Sequence, residues 1–242
     1  MIKGSTSLTN FDYANFWKNE SDSMASNSLY CNLSKLLPVN KRVLEIGCGC
    51  GNGTIELCKG RKVLSLDINQ FSIDLARKRL NGNSNALIHK CDFFKLRKSD
   101  KELISDFQPE IIVGWFLGGN GLDVFKHTSE EPMPEKKPKL YREKIEDSII
   151  SDDVCISSVE MIHLVNRGAM VEGFSDDYTR KSVKEDYNTY VFSKIGFEVT
   201  RIDFFEWKHA SNGLLYVAAE NPLLADGNKK ERITSIIAER KK

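Results

Sequence analysis

Four short apolar runs divide the first half of the chain: "RVLEIG" (Arg42–Gly47), "KVLSLDI" (Lys62–Ile68), "NALIHKCD" (Asn85–Asp92) and "EIIVGWFLGG" (Glu110–Gly119). Each has strand length, and the stretches between them carry helix signals instead. Asn52 is a good N-cap and Gly60 a good stop, which predicts a helix over Asn52 to Lys59. After the second run, Phe71, Leu75, Ala76 and Leu80 share a helical face that Gly82 closes. After the third, Ser99 and Glu102 have capping-box spacing, opening a helix that ends before Pro109. Strands alternating with helices at this spacing imply right-handed crossovers and a parallel sheet covered on both faces. The fold class is α/β.

The rhythm breaks after Gly118. "EEPMPEKKPK" is too charged and proline-rich for a core, so residues 119–151 read as an insertion whose second half, Leu140 to Ile150, is helical. "DVCISSVEMI" predicts a fifth strand, and 161–177 a second irregular insertion. Tyr187, Tyr190, Val191 and Ile195 then mark a helix face capped by Gly196. "FEVTRIDFFEW" and "LLYVAAE" flank "KHASNG", whose Asn212-Gly213 pair signals a hairpin, so the last two strands are expected to be antiparallel. The basic tail, Lys229 to Lys242, reads as a frayed helix.

Composition narrows the class further. At 242 residues, 40% hydrophobic and a formal net charge of +1, the expectation is one domain over 1–242, with a leading helical segment at 1–40 and no charge-driven partner. The longest apolar run is strand-length, so no membrane span is expected, and the first residues lack signal-peptide features, which points to the cytoplasm. Six scattered cysteines favour reduced thiols over a disulfide framework.

The first strand runs into Gly47, Gly49 and Gly51. Glycines at the carboxyl end of a parallel strand allow a tight turn and close backbone approach, while the next helix aims free N–H groups at a ligand. Asp67 ends the following strand, where a carboxylate can accept from two ribose hydroxyls. A nucleoside is implied. The single-residue glycine spacing, with Asn at position 52, does not fit the G-x-G-x-x-G dinucleotide fingerprint.

"VLEIGCGCG", "LSLDI" and "HKCDFF" together resemble motifs I to III of the class I S-adenosylmethionine-dependent methyltransferases, and the antiparallel C-terminal hairpin agrees. The resemblance covers roughly residues 41–118 by motif and 151–220 by architecture. It implies a three-layer, Rossmann-like, mostly parallel seven-stranded sheet with S-adenosylmethionine as cofactor. Residue by residue, it implies that Glu45 and the backbone of Gly47, Cys48, Gly49 and Gly51 line the methionine part. Asp67 would hold the ribose, Ile68 and Phe93 the adenine ring, and Asp92 its amino group, with Trp115 and Phe116 near the sulfonium. No Asn-Pro-Pro-Tyr or Asp-Pro-Pro-Tyr follows the fourth strand, which removes support for amino-directed methylation of DNA bases.

Competing readings attach to single residues. Cys48, Cys50 and Cys58 lack zinc-ligand spacing, so no metal is expected. Cys155 on the fifth strand is read as packing in preference to a nucleophile. Glu160 and His163 follow that strand and are the candidate general bases. Tyr13 and Trp17 either cover the cofactor or staple a leading helix to the sheet. The expected acceptor is a small molecule. An RNA methyltransferase using Lys136, Lys137, Lys139 and the tail as phosphate contacts is the first alternative, and a non-catalytic S-adenosylmethionine-binding protein the second.

Overall fold

The structure, a computed structural model, describes residues 9–171, 173–207 and 229–241. Two helices, α1 (Asn10–Ser26) and α2 (Leu29–Ser34), lead into alternating elements: β1 (Arg42–Ile46), α3 (Asn52–Leu57), β2 (Lys62–Asp67), α4 (Gln70–Leu80), β3 (Ala86–Lys90), α5 (Lys98–Phe107) and β4 (Ile111–Trp115). The insertion holds α6 (Gly121–His127) and α7 (Lys137–Ile149); β5 (Met161–Val171), α8 (Asp176–Tyr190), β6 (Phe197–Glu206) and β7 (Lys229–Arg240) follow. The seven strands lie in the order β3-β2-β1-β4-β5-β7-β6. The first five are parallel, while β7 is antiparallel to both β5 and β6. This is the expected α/β architecture.

Alternation along the strands splits the apolar residues into two cores. Leu44, Ile46, Ile112 and Ile162 face one side with Ile104, Ile145 and Ile149. Val43, Ile111, Val113 and Trp115 face the other with Trp17, Tyr30 and Leu33. A fully buried Leu or Ile contributes about 1.5–3 kcal/mol, so covering both faces is what fixes each strand's register. The leading helices are part of that cover: Arg61 donates to the Ser34 and Leu37 carbonyl oxygens at 2.8 and 2.6 Å. Asp22 on α1 accepts from Asn52 Nδ2 and Arg79 at 2.8 Å each.

Several local expectations are corrected. The fifth strand starts at Met161, not Asp153, and 161–171 is β5, not an insertion. A continuous run of β-branched and apolar residues, Ile162, Leu164 and Val165, pairs with β4 in register and outweighs the turn-like letters around it. Cys155 therefore lies in the turn region before β5, where burial pushes its thiol up to about 11. The tail is a strand and not a frayed helix: Ile233, Ile236, Ile237 and Ala238 are buried between β5 and β6. "LLYVAAE" and the Asn212-Gly213 turn lie outside the described residues. On α4 the buried face is Ser72, Ile73, Ala76 and Leu80, and Phe71 turns outward to meet Phe11 edge-on at 5.3 Å. The helix after β3 begins at Lys98, where the Asp100 carboxylate accepts from the Arg97 N–H at 2.8 Å, in place of a Ser99–Glu102 box.

Candidate functional site

Parallel strands β1, β2, β3 and β4 end at one edge of the sheet, and a cavity of about 180 Å³ opens there. Its floor is the glycine turn after β1. Gly47 and Gly49 border the cavity, whereas Gly51 packs behind it, where a Cβ would stand 2.9 Å from Ala76 Cα of α4. Gly49 is constrained twice: its φ is +49°, and an added Cβ would lie 2.5 Å from Trp17 Nε1. Helix α1 thus lays an indole directly over the turn.

Asp67 ends β2 with both carboxylate oxygens oriented by backbone. Oδ2 accepts from the Gly49 N–H and Oδ1 from the Asn69 N–H, each at 2.9 Å. Burial raises its carboxyl above the usual range, and these donors oppose the shift. Ile68 beside it is nearly half exposed at the rim, opposite Phe93 across the cavity lining. Asp92, after β3, accepts from the Phe94 N–H at 3.1 Å and stands 3.6 Å from Lys126. After β4, Trp115 and Phe116 line the cavity, and Phe116 has a φ of +59°, a left-handed conformation that a bulky residue adopts only when its surroundings hold it there.

The roof comes from α1. Asn69 Nδ2 donates to the Asn10 carbonyl oxygen at 3.0 Å, and Asn120 Nδ2 donates to Asn10 Oδ1, so the first residue of α1 is tied to the segments after β2 and after β4. Tyr13 and Trp17 project from the same helix into the lining. Trp17 also staples the helix to the sheet, packed against Phe116 and the Arg167 guanidinium, 5.0 Å from its ring.

Of the expected cofactor residues, Gly47, Gly49, Asp67, Ile68, Asp92, Phe93 and Trp115 share this cavity. Glu45, Cys48 and Gly51 stand behind its wall. Glu45 Oε2 accepts from Ser65 Oγ at 2.5 Å and Thr54 Oγ1 at 2.7 Å, and burial pushes its carboxyl up to about 7. Cys48 Sγ lies 3.8 Å from Asp67 Oδ2, and burial raises its thiol well above the usual range.

The candidate bases are not brought to the cavity. Glu160 precedes β5 at the amino edge of the sheet, where it pairs with Lys41 at 2.8 Å. His163 is fully buried between β4 and β7. Its Nδ1 accepts from Trp115 Nε1 at 3.1 Å, which leaves Nε2–H to donate to Ser235 Oγ at 2.9 Å. Burial lowers this imidazole to about 3, so it stays neutral at any working pH. The expected place of Glu160 and His163 rests on a strand over Asp153–Ile162, whereas β5 runs from Met161 to Val171. Among the described residues, no group of three His, Cys, Asp or Glu side chains could hold a metal.

Sequence reasoning missed Asn10, Asn120, Asp123 and Tyr141, all of which line the cavity. "GNGLD" held one usable signal: Asn120 caps α6 by accepting from the Asp123 N–H at 2.8 Å.

Residues 37–108 match the sequence profile of a family described as "Methyltransferase domain". A search of curated proteins gives no match. The chain is similar in structure to an S-adenosylmethionine-dependent methyltransferase from Anabaena variabilis, at 14% identity and a TM-score of 0.51 over 97% of this chain and 99% of that one. It also aligns with the N-methyltransferase NodS from Bradyrhizobium japonicum, solved with S-adenosylhomocysteine, at 12% identity and a TM-score of 0.49 over 90% and 87%. A third is the 23S rRNA methyltransferase ErmE, at 18% identity and 0.46 over 88% and 67%. Residues 37–108 thus carry a methyltransferase-domain profile, on a fold shared with an S-adenosylmethionine-dependent methyltransferase, with the glycine turn and the acidic strand ends gathered at one edge of the sheet.

Proposed function

We propose that the protein transfers the methyl group of S-adenosylmethionine to a small molecule held in the cavity at the strand ends. The observation that carries this reading is the cavity's lining: a roof of α1 overhead, and no Lys, Arg or His among the described residues of its walls. A nucleic-acid acceptor needs basic side chains free to meet phosphates. Of the residues expected to do so, Lys136 and Lys139 are exposed, whereas Lys137 and two arginines of the tail are engaged elsewhere. Lys137 is buried and donates to the Thr128 carbonyl oxygen at 2.5 Å and to that of Glu131. The tail is an interior strand whose Arg232 pairs with Asp176 and whose Arg240 donates to the Val159 carbonyl oxygen at 2.9 Å.

The residues present fit the cofactor. Asp67 keeps spare lone pairs on two backbone-oriented oxygens for a pair of ribose hydroxyls. Ile68 and Phe93 offer apolar faces for a flat base, and Asp92 an acceptor at its edge. When bound, the sulfonium supplies an activated methyl group with a good leaving group. The chain's own work is alignment: the turn and Asp67 fix one partner, Trp115 and Phe116 shape the space beside it, and α1 excludes water. Correct alignment alone lowers such a barrier by about 7–11 kcal/mol.

The test is calorimetric titration of S-adenosylhomocysteine into the parent and Asp67→Ala. Loss of charge-assisted bonds to two hydroxyls at about 1.5–3 kcal/mol each should weaken binding at least tenfold in a protein whose circular dichroism is unchanged. Equal affinity in the two proteins would remove Asp67 from the site.

A further inference from the structure

Three aspartates line the cavity, and the cofactor reading uses only Asp67 and Asp92. The third, Asp123, comes from the insertion, and its placement is built rather than incidental. Its N–H is capped by Asn120 at 2.8 Å, and its Oδ2 accepts from the Tyr141 hydroxyl of α7. Gly119 makes room for the pair, since a Cβ there would lie 2.6 Å from Tyr141 Oη and 2.9 Å from Asp123 Oδ2. His127 Nε2 stands 3.4 Å from Oδ1. Asp123 lines the same cavity as Asp67, and Tyr13 on the roof feels the charges of both.

We infer that Asp123, positioned by Tyr141, receives the acceptor, and that the acceptor is a small basic amine. The inference rests on the proposed function and deepens it. A carboxylate facing a cavity without basic walls repels anionic acceptors and attracts cations. The chemistry agrees. The ammonium ion drawn in by Asp123 first gives one proton to solvent; as the lone pair of the resulting neutral amine bonds to the methyl carbon, the carbon–sulfur bond breaks with its electrons staying on sulfur. Positive charge moves from sulfur to nitrogen, where Asp123 stabilises it, and the product leaves as an alkylammonium. A hydroxyl acceptor would end as a neutral ether, which leaves no charge for Asp123 to stabilise. Asp123 is the acceptor-contacting group in this scheme and Tyr141 a positioning residue.

Sinefungin tests this without a known substrate, because it carries an amine where the transferred methyl group would stand. Its affinity is compared with that of S-adenosylhomocysteine by calorimetry on the full chain. Replacing Asp123 by Asn should weaken sinefungin about tenfold or more, with S-adenosylhomocysteine changed by less than about twofold. Tyr141→Phe should move the ratio the same way by a smaller factor, and it serves as the test should Asp123→Asn fail to fold. An equal loss for both ligands would assign Asp123 to the cofactor, and an unchanged ratio would remove it from the methyl position; either overturns the inference. Failure of the parent to bind S-adenosylhomocysteine would instead overturn the proposed function.

Discussion

Replacing Gly49 by Ala tests whether α1 and the glycine turn form one unit. Two separable costs arise. The backbone is left-handed at φ +49°, which costs a residue with a Cβ about 1–2 kcal/mol. The new carbon would also stand 2.5 Å from Trp17 Nε1. Favourable contact begins near ~3.5 Å, so the indole must retreat by roughly 1 Å. It has little room, being buried against Phe116 and Arg167. Overpacking of this kind costs about 1–3 kcal/mol, giving a total near 2–5 kcal/mol. In a Trp17→Leu background the second cost disappears, because a shorter, flexible side chain can turn away. Urea unfolding followed by far-ultraviolet circular dichroism on the parent, both single variants and the double variant yields the coupling energy, expected at about 1–3 kcal/mol. A coupling below about 0.5 kcal/mol would refute the claim that Trp17 enforces glycine at this position.

Two further substitutions separate structural from chemical roles. His163→Ala strands the Trp115 indole N–H and the Ser235 hydroxyl in the core, at about 1–3 kcal/mol each, and should lower the melting temperature clearly; an unchanged melting temperature with methyl transfer abolished would restore His163 to chemistry. Glu45, raised to about 7 in the fold against 4.5 as its ordinary value, binds a proton in the native state over a pH range where the unfolded chain does not. Its contribution is therefore present below about 4.5 and is lost as pH rises towards 7, opposite in sign to that of His163, which favours the fold above its ordinary 6.5 and loses that advantage as pH falls towards 3. Glu45→Gln should therefore gain stability relative to the parent between pH 4.5 and 7, by up to about 3 kcal/mol, and a pH-independent difference in unfolding free energy would show that Glu45 is not held neutral.

The parallel half of the sheet was legible because its signals are local. Strands β1 and β2 are short apolar runs ended by glycine and acid, and α4 carries its own cap at Asn69. Asp67 and Asp92 could be placed for the same reason, since a strand end fixes position without tertiary knowledge. Glu160 and His163 failed because one boundary was set wrongly. Reading Asp153–Ile162 as the strand leaves His163 in an insertion, yet β5 tolerates His163 because Trp115 and Ser235 satisfy both ring nitrogens from neighbouring strands. The same holds for β7. Its lysines and arginines suggested a surface helix, and only pairing on both sides shows why Ile233, Ile236 and Ile237 dictate a strand. Asp123 and Tyr141 are 18 residues apart with no motif between them, and the short bond that unites them exists only once α7 docks.

The interior position of β7 also orders events in time. As the chain is synthesised, β1 to β5 emerge able to pair with strands already made. Strand β6 does not, because the element that joins it to β5 follows it. Until β7 arrives, β5 keeps an open row of backbone donors and acceptors, and β6 has no strand to pair with. Unpaired edges of this kind are where chains associate wrongly. The pairing that closes them spans the whole of α8 and β6, so it is slow by the cost of loop closure. Nascent chains halted before Lys229 should therefore hold a protease-resistant parallel core while β6 is still being cut, with resistance appearing in one step once β7 is free to enter.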